Sequence, residues 1–211
     1  MAKQVLIGFD RDGTIIHDVR YIGKNKDWKQ QMQVYPDFIE AFKLLRKNLE
    51  CKIILASNQA GVARGFFSLE QMMEIDEFLK QQLAKSEVKL DSHYYCPFIT
   101  EEYAMERKIP LNSPWIDQYR LRKPQIGMLA QACKDFNLNL QEVQLYFIGD
   151  KKEDVLTGIN AGGKGIWVVR EDNKYFNERD FKEIAKKHPE KIHKAQNMID
   201  AIYFLLKDRL I

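Results

Sequence analysis

The sequence predicts an α/β fold: a Rossmann-like parallel sheet with helices on both faces. Two observations predict it. Short, nearly continuous apolar runs alternate with segments of helical periodicity along the chain, which is the pattern of strands buried on both sides. Three of the runs end in polar residues, at Asp10-Arg11-Asp12, Ser57-Asn58 and Gly149-Asp150. In open parallel sheets ligands bind beyond the carboxyl ends of the strands, so these endings fall at one rim.

In chain order, 5–9 reads as a buried strand, and 37–48 as a helix with Phe38, Ala41, Phe42, Leu44 and Leu45 at helical spacing. The apolar run 52–56 stops at Ser57-Asn58-Gln59, and 69–84 predicts a helix with Ser68 as its N-cap. A third strand over 93–96 is closed by Pro97. An irregular stretch, roughly 98–123, leads to a helix over 125–136 and a strand over 143–150 ending in Gly149-Asp150. A helix over 154–161 is stopped by Gly162-Gly163, a strand follows over 165–169, and an amphipathic helix over 197–208 ends the pattern. The basic run 182–194 reads as a solvated helix face and loop. We expect a single domain over 1–211, with substrate loops at about 17–34 and 97–122.

Composition narrows the partners. Basic residues number 33 and acidic residues 30, mixed along the chain for a net charge of +3, so no large basic field points to nucleic acid. Cys51, Cys96 and Cys133 are odd in number and far apart, which fits free thiols in a reducing compartment. We expect no secretory signal, and no apolar stretch approaches the roughly 20 residues of a membrane span. The expectation is a cytoplasmic monomer with no membrane or nucleic-acid partner. No G-x-x-x-x-G-K-[ST] occurs, which argues against a P-loop kinase.

Asp10 and Asp12, at a strand end, repel unless a cation or a shared proton compensates. Residues two apart on an extended segment point to the same side. Gly13 then permits a sharp turn, and Thr14 adds a hydroxyl at the lip. Asp-Gly pairs also begin ordinary turns; the rest of the chain is what favours a chemical site. A carboxylate attacks a phosphate ester only when the charge on both is offset, commonly by a divalent cation. Asp10 and Asp150 offer the hard oxygen ligands that Mg²⁺ favours. Lys123 would neutralise phosphoryl oxygens, Ser57 would donate a hydrogen bond, and backbone N–H groups around Arg11 and Asp12 would complete the cradle. Asp12 would protonate the leaving oxygen and then activate the water that hydrolyses an aspartyl-phosphate.

In order and spacing these residues resemble the four motifs of the haloacid dehalogenase (HAD) superfamily of phosphatases. Within it the chain looks like the histidinol-phosphate and D-glycero-D-manno-heptose 1,7-bisphosphate phosphatases. The likeness rests on Asp10 to Ile15, on Ser57-Asn58-Gln59-Ala60-Gly61-Val62-Ala63-Arg64-Gly65, on Arg122 to Met128, and on Gly149-Asp150-Lys151-Lys152-Glu153-Asp154. The resemblance implies the HAD fold in an essentially capless form, with loops shaping the pocket. It implies Asp10 as nucleophile, Asp12 as acid/base, and Ser57 and Lys123 steadying the phosphoryl group. Mg²⁺ would be held by the side chains of Asp10 and Asp150 and the carbonyl of Asp12, with Asp154 supporting them. Asp18, Tyr21, Asn58, Gln59, Arg122 and Lys151 fall where the heptose branch contacts its substrate. Arg64 is read either as a contact to a distal phosphate or sugar hydroxyl, or as a brace for the 61–65 loop.

Two segments depart from that group. Its members commonly carry Cys-x-His and Cys-x-Cys pairs around Zn²⁺, whereas this chain has Cys96-Pro97-Phe98 and Tyr119-Arg120-Leu121. One thiol does not make a tetrahedral site, so no structural Zn²⁺ is expected, and Pro97, Phe98, Tyr103, Pro110, Pro114, Trp115 and Tyr119 are expected to order the loop by packing. The insertion 23–33, with Lys24, Lys26, Trp28 and Lys29, reads as a solvated loop or as a basic, aromatic lip. Cys51 and Cys133 read as core thiols, and neither His17 nor His93 is given a catalytic role. The expected activity is hydrolysis of a small phosphorylated metabolite, best guess heptose 1,7-bisphosphate at its 7-phosphate. Histidinol phosphate is the main alternative, favoured by an anionic pocket, whereas Arg64, Arg122 and Lys151 favour a second phosphate or a polyol. A nucleic-acid 3′-phosphatase is possible on the same fold. A catalytically weak HAD-fold binding or regulatory module is the alternative of a different class, and retention of Asp12 argues against it.

Overall fold

All five residues of Val5–Phe9 are buried, and this run forms the central strand β1. The structure, a computed structural model, describes residues 3–117, 120–171 and 176–209. β1 pairs in parallel with β2 (Lys52–Asn58) on one side and β4 (Gln144–Gly149) on the other. β3 (Ser92–Cys96) lies outside β2, and β5 (Lys164–Val168) and β6 (Ile192–Ala195) extend the sheet beyond β4. The order is β3-β2-β1-β4-β5-β6. The chain therefore winds outward from β1 first one way and then the other. The carboxyl ends of β1 and β4 form the switch point at which a crevice opens.

Alternation within the strands divides the core in two. Val5, Ile7 and Phe9, with Ile53, Leu55, Tyr146 and Ile148, face α2 (Pro36–Asn48), α3 (Leu69–Ala84) and α8 (Met198–Asp208). Leu6, Ile54, Leu145 and Phe147 face α5 (Gly127–Asp135). Trp167 packs with α6 (Lys152–Asn160) and α7 (Glu178–Lys187). Several helices begin at a recognisable start signal, a proline or a side chain that satisfies a free N–H group. Pro36 opens α2, Ser68 accepts from Gln71 N at 3.2 Å, and Asn197 accepts from Asp200 N at 2.9 Å, caps of this kind being worth about 1 kcal/mol each.

The fold class is the predicted one, but three elements differ from expectation. The insertion 23–33 is largely solvated, with residues 24–27, 29, 30 and 33 exposed, but it is not a plain loop. It forms α1 (Trp28–Gln31), and Trp28, 5% exposed, packs edge-on against Phe78 while Ile22 and Met32 join the same core. The irregular stretch contains α4 (Glu101–Glu106), capped by Thr100, which accepts from Tyr103 N at 3.2 Å. The basic run 182–194 ends in β6, which pairs with β5; four residues, preceded by Lys191 and containing Lys194, are too few to show a strand pattern. Among the described residues no helix is long and apolar enough to cross a membrane.

Candidate active site

β1 and β4 are neighbours, with Phe9 opposite Ile148, so the residues that follow them stand side by side. Asp10 N extends the ladder to Ile148 O at 3.0 Å. The chain then turns back on itself, Ile15 N and Ile16 N both bonding Arg11 O at 2.9 and 3.0 Å. Gly13 makes this possible: its φ is +86°, and a Cβ there would lie 2.2 Å from Asp150 Oδ2. Arg170, just beyond β5, locks the turn by donating to Thr14 O at 3.2 Å while its Nη1 holds Asp37 at 2.8 Å.

Lys123 is buried beneath this turn, its Nζ 2.8 Å from Asp10 Oδ1 and 2.6 Å from Asp154 Oδ1. Asn58, at the end of β2, fixes the lysine's backbone from both sides, accepting from Lys123 N at 2.9 Å and donating to Lys123 O at 3.1 Å. Burial works against a charge on Lys123, and Asp10 and Asp154 more than offset it, so the ammonium keeps its proton to higher pH than a free lysine. Burial likewise opposes charge on Asp10, but Lys123 and Lys151 outweigh it and hold the carboxyl below its ordinary range. Asp150 goes the other way: burial, with Asp154, Asp10 and Asp18 nearby, lifts it well above that range in spite of Lys151. Burial and the proximity of Asp10 push Asp154 up to about 6 against the pull of Lys123.

Asp12 is held by Arg11, whose Nε and Nη2 reach its two oxygens at 3.1 and 3.0 Å. Gln59 Nε2 bridges Asp12 Oδ2 and Ser57 Oγ, both at 3.0 Å, and its carbonyl oxygen accepts from Arg11 at 2.9 Å. Burial opposes the charge of Arg11, 1% exposed, but Asp12 overrides it and keeps the guanidinium firmly protonated.

These residues floor a cleft of about 460 Å³, lined also by Asp18, Tyr21, Arg122, Lys151, Lys152 and, from outside the sequence motifs, Arg20, Tyr103 and Arg107. Arg20 and Tyr21 have φ of 52° and 62°, uncommon for residues with side chains. Asp18 Oδ1 stabilises the bend by accepting from Arg20 N at 2.8 Å.

One sequence expectation needs correction, and three further site residues are placed by their partners. Thr14 is not at the lip; it is fully buried, with Oγ1 3.5 Å from Asp150 Oδ1. Lys151 borders the cleft close to its floor. Its Nζ lies 3.1 Å from Asp12 O, 3.1 Å from Asp18 Oδ2 and 3.9 Å from Asp150 Oδ1, drawn there by the carboxylates. Arg64 is outside the cleft lining, donating to Tyr21 OH at 2.6 Å with its guanidinium carbon 4.3 Å from the centre of the Phe66 ring. Both ends of the Asn58 amide are taken up by Lys123, so it acts as a strap on the lysine although it borders the cleft. His93 lies away from the rim against Asp76, and His17 packs on Tyr35. The thiols of Cys96 and Cys133 are buried and that of Cys51 half-buried. Among the described residues of the loop 97–122, Phe98 packs against Trp115 and Ile99 is bridged to Ile116; Tyr119 lies outside the described residues.

Carboxylate oxygens of Asp10, Asp150 and Asp154 lie within 4.8 Å of one another. Both oxygens of Asp154 are taken, Oδ1 by Lys123 Nζ and Oδ2 by Lys151 N, so Asp10 and Asp150, with the Asp12 carbonyl that here accepts from Lys151, are the groups that would face a cation. Five carboxylates, Asp10, Asp12, Asp18, Asp150 and Asp154, crowd three cations, Arg11, Lys123 and Lys151. A divalent ion such as Mg²⁺, which favours hard oxygen donors, would relieve the crowding that lifts Asp150.

A parallel sheet with paired carboxylates at its switch point and a buried lysine beneath them is the architecture of the HAD-like phosphatases. The chain belongs to that superfamily, and residues 5–195 match the family described as polynucleotide kinase 3 phosphatase. It is 34% identical over 170 residues to the D-glycero-beta-D-manno-heptose-1,7-bisphosphate 7-phosphatase of Haemophilus influenzae, covering 81% of this chain and 83% of that one. The D-glycero-alpha-D-manno-heptose-1,7-bisphosphate 7-phosphatase of Campylobacter jejuni is 30% identical over 174 residues, covering 82% and 86%. In fold the chain is similar to the D,D-heptose 1.7-bisphosphate phosphatase of B. bronchiseptica, crystallised with magnesium and phosphate. That match has a TM-score of 0.71 at 23% identity, over 97% of this chain and 99% of the other.

Proposed function

We propose that this chain is a phosphatase that removes the 7-phosphate of D-glycero-D-manno-heptose 1,7-bisphosphate through an aspartyl-phosphate on Asp10. The observation that carries the reading is Asp10 itself, held ionised by Lys123 on the floor of a small cleft. The names of the curated relatives support the substrate. An oxygen of Asp10 attacks phosphorus as the bond from phosphorus to the C7 oxygen breaks, and Asp12 gives the leaving oxygen its proton. Asp12 then takes a proton from water, whose oxygen displaces Asp10 and releases inorganic phosphate. Lys123 and Ser57 steady the phosphoryl oxygens, while Arg11 and Gln59 orient Asp12. Asp10, Asp150 and the Asp12 carbonyl would hold Mg²⁺, which would supply the charge neutralisation that two approaching anions need.

Substrate size and charge favour a sugar bisphosphate. A cleft of about 460 Å³ suits a small molecule, and Arg20, Arg107, Arg122 and Lys152 on its wall oppose the cationic amine of histidinol phosphate. The family description favours one further reading, a 3′-phosphate on a polynucleotide.

The test is phosphate release with Mg²⁺ from heptose 1,7-bisphosphate, histidinol phosphate, other sugar phosphates and a 3′-phosphorylated oligonucleotide, with Asp10→Asn as control. We expect kcat/KM of about 10⁴ M⁻¹s⁻¹ or more on the heptose bisphosphate and none in the variant. Turnover of the oligonucleotide or histidinol phosphate above the heptose would replace the substrate reading, and turnover that survives in Asp10→Asn would remove the mechanism.

A further inference from the structure

The wall of the cleft opposite the motif strands is built by the segment in which this chain departs from the zinc-bearing pattern. Arg107 and Arg122 flank one aromatic ring, their guanidinium carbons 5.6 and 5.3 Å from the centre of Tyr103. All three residues line the cleft together with Arg20 and Lys152. The carboxylates on the same lining away from the motif floor are Asp18 and Glu153, and Asp18 is engaged by Lys151 and by the backbone of Arg20. Guanidinium groups gathered at one mouth repel one another unless an anion sits between them.

The wall is also rigid. Ala104 of α4 is fully buried against Ala60 and Ile99. Ile99 N bonds Trp115 O and Asp117 N bonds Ile99 O, both at 2.8 Å. Arg122 N is held by Asp117 at 2.8 Å, and its Nη1 donates to Phe98 O at 3.2 Å. Tyr103 OH stands 3.3 Å from Tyr21 OH, which ties α4 to the loop that follows the first motif. Of the other basic groups the sequence offers for a distal anion, Lys151 is turned to Asp12 and Asp18, and Arg64 bonds Tyr21 OH from outside the cleft lining.

We propose that α4 carries the specificity determinant of this enzyme, with Tyr103 and Arg107 gripping, alongside Arg122, the second phosphoryl group of a sugar bisphosphate, the one that is not transferred. The inference rests on the sugar-bisphosphate reading above and deepens it. Arg107 stands at the C-terminal end of α4 with its side chain exposed, so replacing it leaves the packing of the wall in place.

The experiment compares kcat/KM for heptose 1,7-bisphosphate and heptose 7-phosphate in the wild type, Arg107→Gln and Arg107→Lys, with melting temperatures as a folding check. We expect the wild type to prefer the bisphosphate. Arg107→Gln should lower the bisphosphate-to-monophosphate ratio by about tenfold or more, the worth of one charge-assisted hydrogen bond, through KM rather than kcat, and Arg107→Lys should restore part of it. An unchanged ratio in Arg107→Gln, or a wild type indifferent between the two compounds, overturns this inference alone. A wild type that hydrolyses neither heptose compound, yet releases phosphate from p-nitrophenyl phosphate in an Asp10-dependent way, overturns the substrate reading and this inference with it.

Discussion

Lys123→Met isolates the charge on which the site depends. Methionine matches the lysine in length and keeps the apolar stem beside Phe147, whose ring centre lies 4.9 Å from Nζ. What it removes is the ammonium between Asp10 and Asp154, both almost wholly buried. Removing one partner of a buried ion pair costs about 3–5 kcal/mol, because the other is left uncompensated. In a chain of this length that lowers the melting temperature by roughly 10 °C. Asp10→Asn should behave differently. Lys123 keeps Asp154 at 2.6 Å, and one of five crowded carboxylates is gone, which relieves Asp150 and Asp154. Its stability without metal should stay within about 1 kcal/mol of the wild type, although its activity is abolished. The assay is urea unfolding in EDTA at pH 7, with phosphate release measured on the same preparations. If Lys123→Met is as stable as the wild type, the lysine does not hold the carboxylates together. If Asp10→Asn loses as much as Lys123→Met, packing rather than charge governs the site.

Mg²⁺ should raise the wild-type melting temperature relative to EDTA, by the equivalent of about 2.7 kcal/mol at a hundredfold excess over Kd, and should do so much less in Asp150→Asn; no shift in the wild type would refute the donor set. Gly13→Ala, forced to φ +86° with its Cβ 2.2 Å from Asp150 Oδ2, should cut kcat by about a hundredfold and weaken the Mg²⁺-dependent melting shift, whereas near-normal turnover would mean that the turn tolerates a side chain. Burial works to raise Asp76, but hydrogen bonds from His93 and Tyr95 bring it down to about 2 from 3.8. A depressed carboxylate contributes stability that is present above its unfolded value and lost as pH falls through the folded one. Asp76→Asn should therefore cost about 1–2 kcal/mol at pH 5 and progressively less toward pH 2; urea midpoints that differ equally at both ends would refute this.

The polar strand endings were legible because a parallel sheet carries them to one rim, and two-residue periodicity correctly put Asp10 and Asp12 near one volume. Alternation does not describe Arg11, because the chain leaves the strand at Asp10: its guanidinium turns back to the Asp12 carboxylate and Gln59, with the Tyr95 ring centre 5.7 Å from its guanidinium carbon. Lys151 was recognised as a site residue, but its direction depends on Asp12 and Asp18 lying across the crevice from β4, which sheet order reveals and sequence separation hides. Arg170 was invisible for the same reason, since it touches the Gly13–Thr14 turn only because β5 lies next to β4. α4 left a weak trace in Thr100-Glu101-Glu102, a cap followed by acids. Six residues are too few for helical periodicity, so Tyr103 and Arg107 were not placed on the wall.

Two kinds of anchor hold this site, and they respond differently to sequence change. Asp10, Ser57 and Asp150 stand at the ends of strands whose register is fixed by the pairing of β1 with β2 and β4, so moving one requires slipping the sheet, and a one-residue slip would send every core side chain to the opposite face. Tyr103, Arg107 and Arg122 hang on a small separate cluster around Ala60, Ile99 and Ala104 and on the hydrogen bonds of Asp117. That cluster can be rebuilt without disturbing the sheet. The segment can therefore carry a short packed helix, α4, while the strand ends keep their places. Changes of substrate in such a protein should accordingly begin in the segment 97–122 and leave the strand ends untouched.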